Sequence, residues 1–267
     1  MNQARAASST SQTTGAKGPP FAKIRNLLDH QRQLGPAERG SEDEIRCALA
    51  LLLTDDNAGI IVRSLSPAEL HSEFGATALS RWATRDGVAA SLWLAQQPVR
   101  SEEQTWAIAR ALAKEPVVLE VLCDLLPASP WREDLLENTS HASLPDHPDN
   151  AVRLAYRLQP GYRRTQALAG IADEWAMREP VAAARWIAAE SDAALRDELL
   201  FSSAAARAAT DPTDALDSAN RITSNATYER AIDKIAAIWT DLATDPSNRI
   251  AVTAALRRDG SISRKQN

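Results

Sequence analysis

The sequence predicts an all-α chain: a right-handed superhelical solenoid of stacked helical hairpins, with six to seven repeats of about 32 residues each. Three observations predict it. Alanine and leucine dominate the 44% of apolar residues, and both are strong helix formers. Val, Ile and Thr never form the alternating runs that half-buried strands require. An acidic or polar residue followed by Pro or Gly recurs at near-constant spacing along the chain.

Taken in order, Met1 to Pro20 is polar and contains Gly and Pro, and is expected to be a disordered tail. Phe21, Ile24, Leu27 and Leu28 then fall on one helical face, and that helix is expected to end at Gly35-Pro36. A polar stretch from Ala37 to Asp43 leads into the next helix.

Two later segments align without gaps. From Trp82 to Ala95 and from Trp175 to Ala188, eight of fourteen positions are identical, Trp82/Trp175 and Trp93/Trp186 among them. Their offset of 93 residues is three units of 31. The intervening units are marked by the punctuation pairs Asp86-Gly87, Glu115-Pro116, His147-Pro148, Glu179-Pro180, Asp211-Pro212 and Asp245-Pro246, whose second residues lie 29, 32, 32, 32 and 34 apart. Thr54-Asp55-Asp56-Asn57 is a weaker seventh copy.

Proline suits the first position of a helix, where its missing N–H costs nothing, and it pushes the preceding residue out of the α region. An Asp before it caps the free amides and favours the positive helix end. Each pair therefore stops one helix and starts another. A short helix follows the Pro, for example Pro180 to Ala189, and a longer one such as Leu195 to Ala209 completes the hairpin. Ser66-Pro67-Ala68-Glu69 and Ser101-Glu102-Glu103-Gln104 read as capping boxes, and Ser129-Pro130 as a further cap. Alanine stands three residues after the Pro or Gly at Ala90, Ala151, Ala183 and Ala215, a size that lets helices approach closely. The repeat domain is expected to span residues 21–258, ahead of a short polar tail from Asp259 to Asn267.

Pro or Gly followed six residues later by Trp (Gly87/Trp93, Pro180/Trp186) resembles tetratricopeptide repeats, although the Gly and Tyr that follow that Trp in those repeats are absent. The Trp-Ala-x-Arg-[Asp/Glu]-[Gly/Pro]-Val-Ala-Ala pattern more closely resembles bacterial proteins with arrays of Trp-Ala-x-x-Asp-Pro helical repeats, a group of unassigned activity. The resemblance implies a stacked-hairpin shape and, by analogy, a partner-binding role.

Net charge is −5 and the pI about 5.5, a balance that argues against a nucleic-acid binder. No apolar run is long enough to span a membrane, nothing at the N-terminus reads as a secretory signal, and a cytoplasmic location is expected. Cys47 and Cys123 read as buried free thiols. There is no HExxH, GxSxG, Walker or Rossmann signature, so no catalytic residue, metal ligand or cofactor is assigned. His141 and His147, with Asp146 and Asp149, match no common metal spacing, and His147 is better explained as the cap before Pro148.

Trp82, Trp93, Trp175 and Trp186 are expected to build the repeat core. Trp131, after Pro130 at a helix start, is the tryptophan expected to be exposed. Arg153, Arg157, Arg163 and Arg164 surround the turn Gln159-Pro160-Gly161-Tyr162 and could hold an acidic peptide or phosphate, or simply cover apolar surface with their stems. The expected function is a non-enzymatic scaffold binding a protein or peptide partner. An all-α enzyme or enzyme subunit, and a helical-repeat nucleic-acid binder, are the alternatives.

Overall fold

The computed structural model describes residues 19–34 and 39–242. Those residues form helices and no strand. The expected tails, the Gly35-Pro36 stop and the Asp245-Pro246 junction lie largely or wholly outside them. The chain divides into two compact units, Met1–Pro127 and Ala128–Asn267. The boundary falls in Leu126-Pro127-Ala128-Ser129-Pro130, where two prolines within four residues interrupt the helical backbone.

The first unit holds α1 (Pro19–Gln33), α2 (Arg39–Leu52), α3 (Ala58–Ser64), α4 (Pro67–Leu70), α5 (Glu73–Arg85), α6 (Gly87–Ala95), α7 (Glu102–Leu112) and α8 (Pro116–Leu125). Helix α1 begins at Pro19, five residues before its first buried residue, Ile24, because Pro fits a first turn. Helix α2 starts at Arg39, inside the stretch expected to be a linker, since its acidic residues favour a helix N-terminus. In this helix Ile45 and Leu49 point inward at i, i+4, and Cys47 between them faces out. Cys47 is therefore exposed, not buried as expected, while Cys123 on α8 is buried.

The second unit holds α9 (Pro130–Ser143), α10 (Pro148–Arg157), α11 (Tyr162–Arg178), α12 (Pro180–Ala189), α13 (Ala193–Arg207), α14 (Pro212–Asn220) and α15 (Asn225–Leu242). Long helices α9, α11, α13 and α15 alternate with the short α10, α12 and α14, and each long helix packs on the long helix before it. Their shared core runs through Ala151, Ala155, Ile171, Trp175, Ala183, Ile187, Leu199, Ala215 and Ile232.

The punctuation pairs have one geometry. Asp86, Glu115, His147, Glu179 and Asp211 all have φ between −149° and −130° and ψ between 67° and 84°. Asp86 and Glu179 are each the C-cap of one helix and the N-cap of the next. The backbone N–H closes the old helix and the carbonyl opens the new one: Glu179 donates to the Trp175 carbonyl at 2.8 Å and accepts from the Ala183 amide at 3.0 Å. Side-chain capping is less uniform than expected. Asp86 and Asp211 accept amide hydrogen bonds, whereas Glu115, His147 and Glu179 do not. The longer Glu side chain and the His ring suit that reach poorly. Asn57, the weaker copy, instead has helical backbone angles and braces Thr54 and Leu52.

Ala90, Ala151, Ala183 and Ala215 are each completely buried. Four residues further along, Leu94, Ala155, Ile187 and Ala219 are buried too, so positions three and seven after the Pro or Gly make the inward stripe. Both expected capping boxes form, and Ser129 caps α9. A Cβ on Gly87, where the four later junctions have Pro, would lie 2.7 Å from Leu112 Cδ2.

Two glycines make opposite predictions in urea unfolding. A Cβ on Gly75 would lie 2.3 Å from the Glu69 carbonyl oxygen and 2.7 Å from Leu70 Cα, so Gly75→Ala destabilises by about 2 kcal/mol or more. Gly170 is an exposed mid-helix residue with open space around its missing Cβ, so Gly170→Ala stabilises by about 0.5–1 kcal/mol.

Candidate functional site

The four arginines around the Gln159–Tyr162 turn do not act as one cluster. Arg163, on α11, donates from Nε to Glu137 and from Nη2 to Asp134, both at 2.6 Å, and ties its helix to α9. Arg164 donates from Nε to the Leu158 carbonyl at 2.9 Å, with Nη2 on the same oxygen. Arg153 and Arg157 are exposed on α10, where Arg153 also reaches the Asn150 side chain. Gly161 has φ 138°, a left-handed value that lets the chain turn sharply between α10 and α11.

Arg164 belongs to a register that the sequence displays. Arg100, Arg132, Arg164 and Arg196 are spaced by 32 residues. Arg100 donates to the Ala95 carbonyl at 2.6 Å and to that of Leu94 at 3.4 Å. Arg196 donates to the Glu190 carbonyl at 3.0 Å. Each guanidinium thus folds back on the C-terminal end of the short helix before it, meeting carbonyls that have no partner within the helix and complementing its negative end. Arg132 stands at the same register beside Glu133.

Next to this register lies a second one. Glu133 accepts from the Gln159 amide, and Asp197 from the Thr223 amide, each at 2.9 Å and each 26 residues on. Asp197 is only 2% exposed and also accepts from the Thr223 hydroxyl and the Ser224 amide. Burial opposes its ionisation, but the Thr223 and Ser224 hydrogen bonds and the nearby Arg196 outweigh that and hold the carboxyl below its usual range. Glu69, also buried, is held below its usual range in the same way: burial is outweighed by Ser66 and Arg25, and Arg32 lies 2.7 Å away. Arg230 grips Glu198 through two nitrogens, at 2.8 and 3.2 Å.

The tryptophans divide by position. Trp82 and Trp175 are buried on the long helices, and Trp93 and Trp186 are half-buried on the short helices that follow. Ring centroids are 5.6 Å apart in both pairs, tilted by 58° in the first and stacked at 27° in the second. The stem of Arg63 brings its guanidinium over Trp82 at 4.7 Å. Trp131 is 6% exposed, which corrects the expectation of a surface residue: Trp131, Leu135 and Thr139 recur every four residues along the buried face of α9. It is withdrawn as a contact residue.

A cleft of about 160 Å³ lies between the end of α5, the start of α6 and α7–α8, lined by Arg85, Asp86, Leu112 and Glu115 among others. A shallow groove runs along α7 past Glu102, Glu103, Trp106 and Arg110. Tyr156 donates a hydrogen bond to the Glu190 carboxylate, and burial followed by that acceptor pushes its phenol well above the usual range. Among the described residues no group of three or more His, Cys, Asp or Glu is placed to hold a metal ion, and no helix is long and apolar enough to cross a membrane.

The chain matches no protein-family model, no curated protein and no solved structure.

Asp197 makes a pH prediction. Because its folded pKa is depressed, its contribution is present above the unfolded carboxylate pKa of about 3.9 and is lost as pH falls through the lower folded value. At neutral pH Asp197→Asn costs on the order of 1–3 kcal/mol, since the amide presents a donor where three donors converge. Urea unfolding across pH 2–7 should show the gap between wild type and variant closing toward the acid end; parallel curves would rule out the buried carboxylate as the cause.

Proposed function

We propose that the chain is a non-enzymatic protein-interaction scaffold, built as a right-handed solenoid of six to seven stacked hairpins and working through a surface that the repeats present in register. One observation carries the reading. Five helix junctions share one backbone conformation at a spacing near 32 residues, so equivalent side chains recur on equivalent faces. Arrays of that kind offer extended surfaces to peptides and partner helices.

The charged groups support it. Asp86, Asp197, Arg100, Arg164 and Arg196 cap helix ends, and Glu69, Arg163 and Arg230 link helices. These are roles in holding a scaffold together. Exposed charged side chains, Arg153, Arg157 and Arg185 among them, stand on the outer faces of the short helices.

Affinity capture with the tagged full-length chain as bait, in extract of its native host at moderate salt, tests this. The expected result is one protein enriched in stoichiometric amount and recaptured when it is itself the bait. A folded, monodisperse bait that retains no protein, yet shifts its melting temperature with a small metabolite, contradicts the scaffold reading and points to an enzyme.

A further inference from the structure

Helix α7 is nearly enclosed by its own unit. Seven of its eleven residues are buried, and it packs along α5. What it leaves open is a single strip. Glu102 and Glu103 are exposed in the first turn, Arg110 is exposed in the last, and Trp106 lies half-buried midway between them. Glu103, Trp106 and Arg110 stand at i, i+3 and i+7, which sets them in line on one helix face. The same residues line the groove along α7.

Among the described residues the carboxylates of Glu102 and Glu103 and the guanidinium of Arg110 have no hydrogen-bond or ion-pair partner. On the long helices α5 and α11, by contrast, Arg81 binds the Leu53 carbonyl and Arg163 binds Glu137 and Asp134. The order of charges along α7, acid first and base last, suits the helix dipole. The dipole gives no reason for an indole between them, and a tryptophan at a protein surface is a residue around which contacts are built.

The strip is its own complement. Glu102 and Arg110 lie four residues from Trp106 on either side, about 6 Å along the helix axis. Turned end for end about a two-fold axis, the strip therefore sets acid opposite base and indole opposite indole. A purely acidic segment would meet Glu102 and Glu103, and a purely basic one would meet Arg110, so charge complementarity selects a surface of mixed sign in this order. We propose that a second copy of this chain docks on α7, with the two helices antiparallel: Trp106 packs against the partner subunit's Trp106, and Glu102 and Glu103 face the partner subunit's Arg110. The contact goes beyond the scaffold reading and does not depend on it. Such an isologous contact uses one patch twice and closes at two chains. Helices about 8–10 Å apart bring the two indoles together and bury apolar area that one chain alone leaves wet. The exposed ion pairs add little energy each but fix the direction in which the helices run. A contact of this size gives a reversible, concentration-dependent dimer.

The test is sedimentation equilibrium of the full chain from about 1 to 300 μM. Wild type is compared with Glu102→Lys/Glu103→Lys, whose strip is wholly basic, with Arg110→Glu, whose strip is wholly acidic, and with Arg185→Glu, an exposed residue of the second unit, as control. Circular dichroism and melting temperature confirm that each variant is folded. The expected result is a mass that rises with concentration from 29.0 kDa toward twice that value for wild type and the control, and no further. Each strip variant alone should dimerise at least tenfold more weakly, and an equimolar mixture of the two should recover the dimer, because opposite strips then meet. A wild type that stays monomeric throughout, strip variants that dimerise as wild type does, a mixture that fails to recover the dimer, or a mass that climbs beyond two chains overturns the proposal. The scaffold reading is judged separately by partner capture and survives any of these outcomes.

Discussion

The structure depends on how closely each short helix can approach the long helices beside it. A completely buried alanine three residues into each of four short helices sets that distance. Its methyl group fills the interface and leaves no room for a larger side chain in a core that packs near crystal density. The junction residue before it fixes the direction of approach. Its φ near −140° and ψ near 70° set the direction in which each short helix leaves, and at Asp86 and Glu179 it turns the chain between two helices within one residue. Direction and distance together determine how each short helix meets its neighbours, and so which of its side chains face inward.

Electrostatics secures what packing positions. The arginines at 32-residue spacing close the carbonyl ends of the short helices, and Asp197 and Glu133 bind amides at the starts of later segments. Exposed ion pairs contribute little individually, with values typically about 0–1 kcal/mol. A buried carboxylate that accepts neutral hydrogen bonds, as Asp197 does, matters more, because removing it leaves polar groups without partners in the core.

Much of this was legible in the sequence. Pro at the first helical position, Ala three residues later, the capping boxes and the Trp82/Trp175 and Trp93/Trp186 correspondences all follow from local rules, because each depends on residues within one or two turns. Residues whose fate depends on a neighbouring helix were less legible. Trp131 read as exposed from its place at a helix start, but a four-residue spacing to Leu135 and Thr139 carries it inward. Cys47 read as buried because its segment is apolar overall, and only its offset from Ile45 and Leu49 turns it outward. Arg163 and Arg164 looked like half of a binding cluster because proximity in sequence does not reveal Asp134, Glu137 or the Leu158 carbonyl. The 32-residue spacing of Arg164 with Arg100 and Arg196 was the signal that marked it as structural. Division at Pro127-Ala128 depends on contacts between distant helices, which periodicity alone cannot express.

The claim that alanine spacing governs the hairpin is tested most directly by urea unfolding of Ala183→Leu beside Ala189→Leu in the full-length chain. Both substitutions add the same side chain to α12, one at a completely buried position and one at an exposed one. The predicted result is a loss of about 1–3 kcal/mol for Ala183→Leu and a change within about 0.5 kcal/mol for Ala189→Leu. Equal and small effects at both positions would contradict the claim, because the interface would then have room that a close helix approach does not leave.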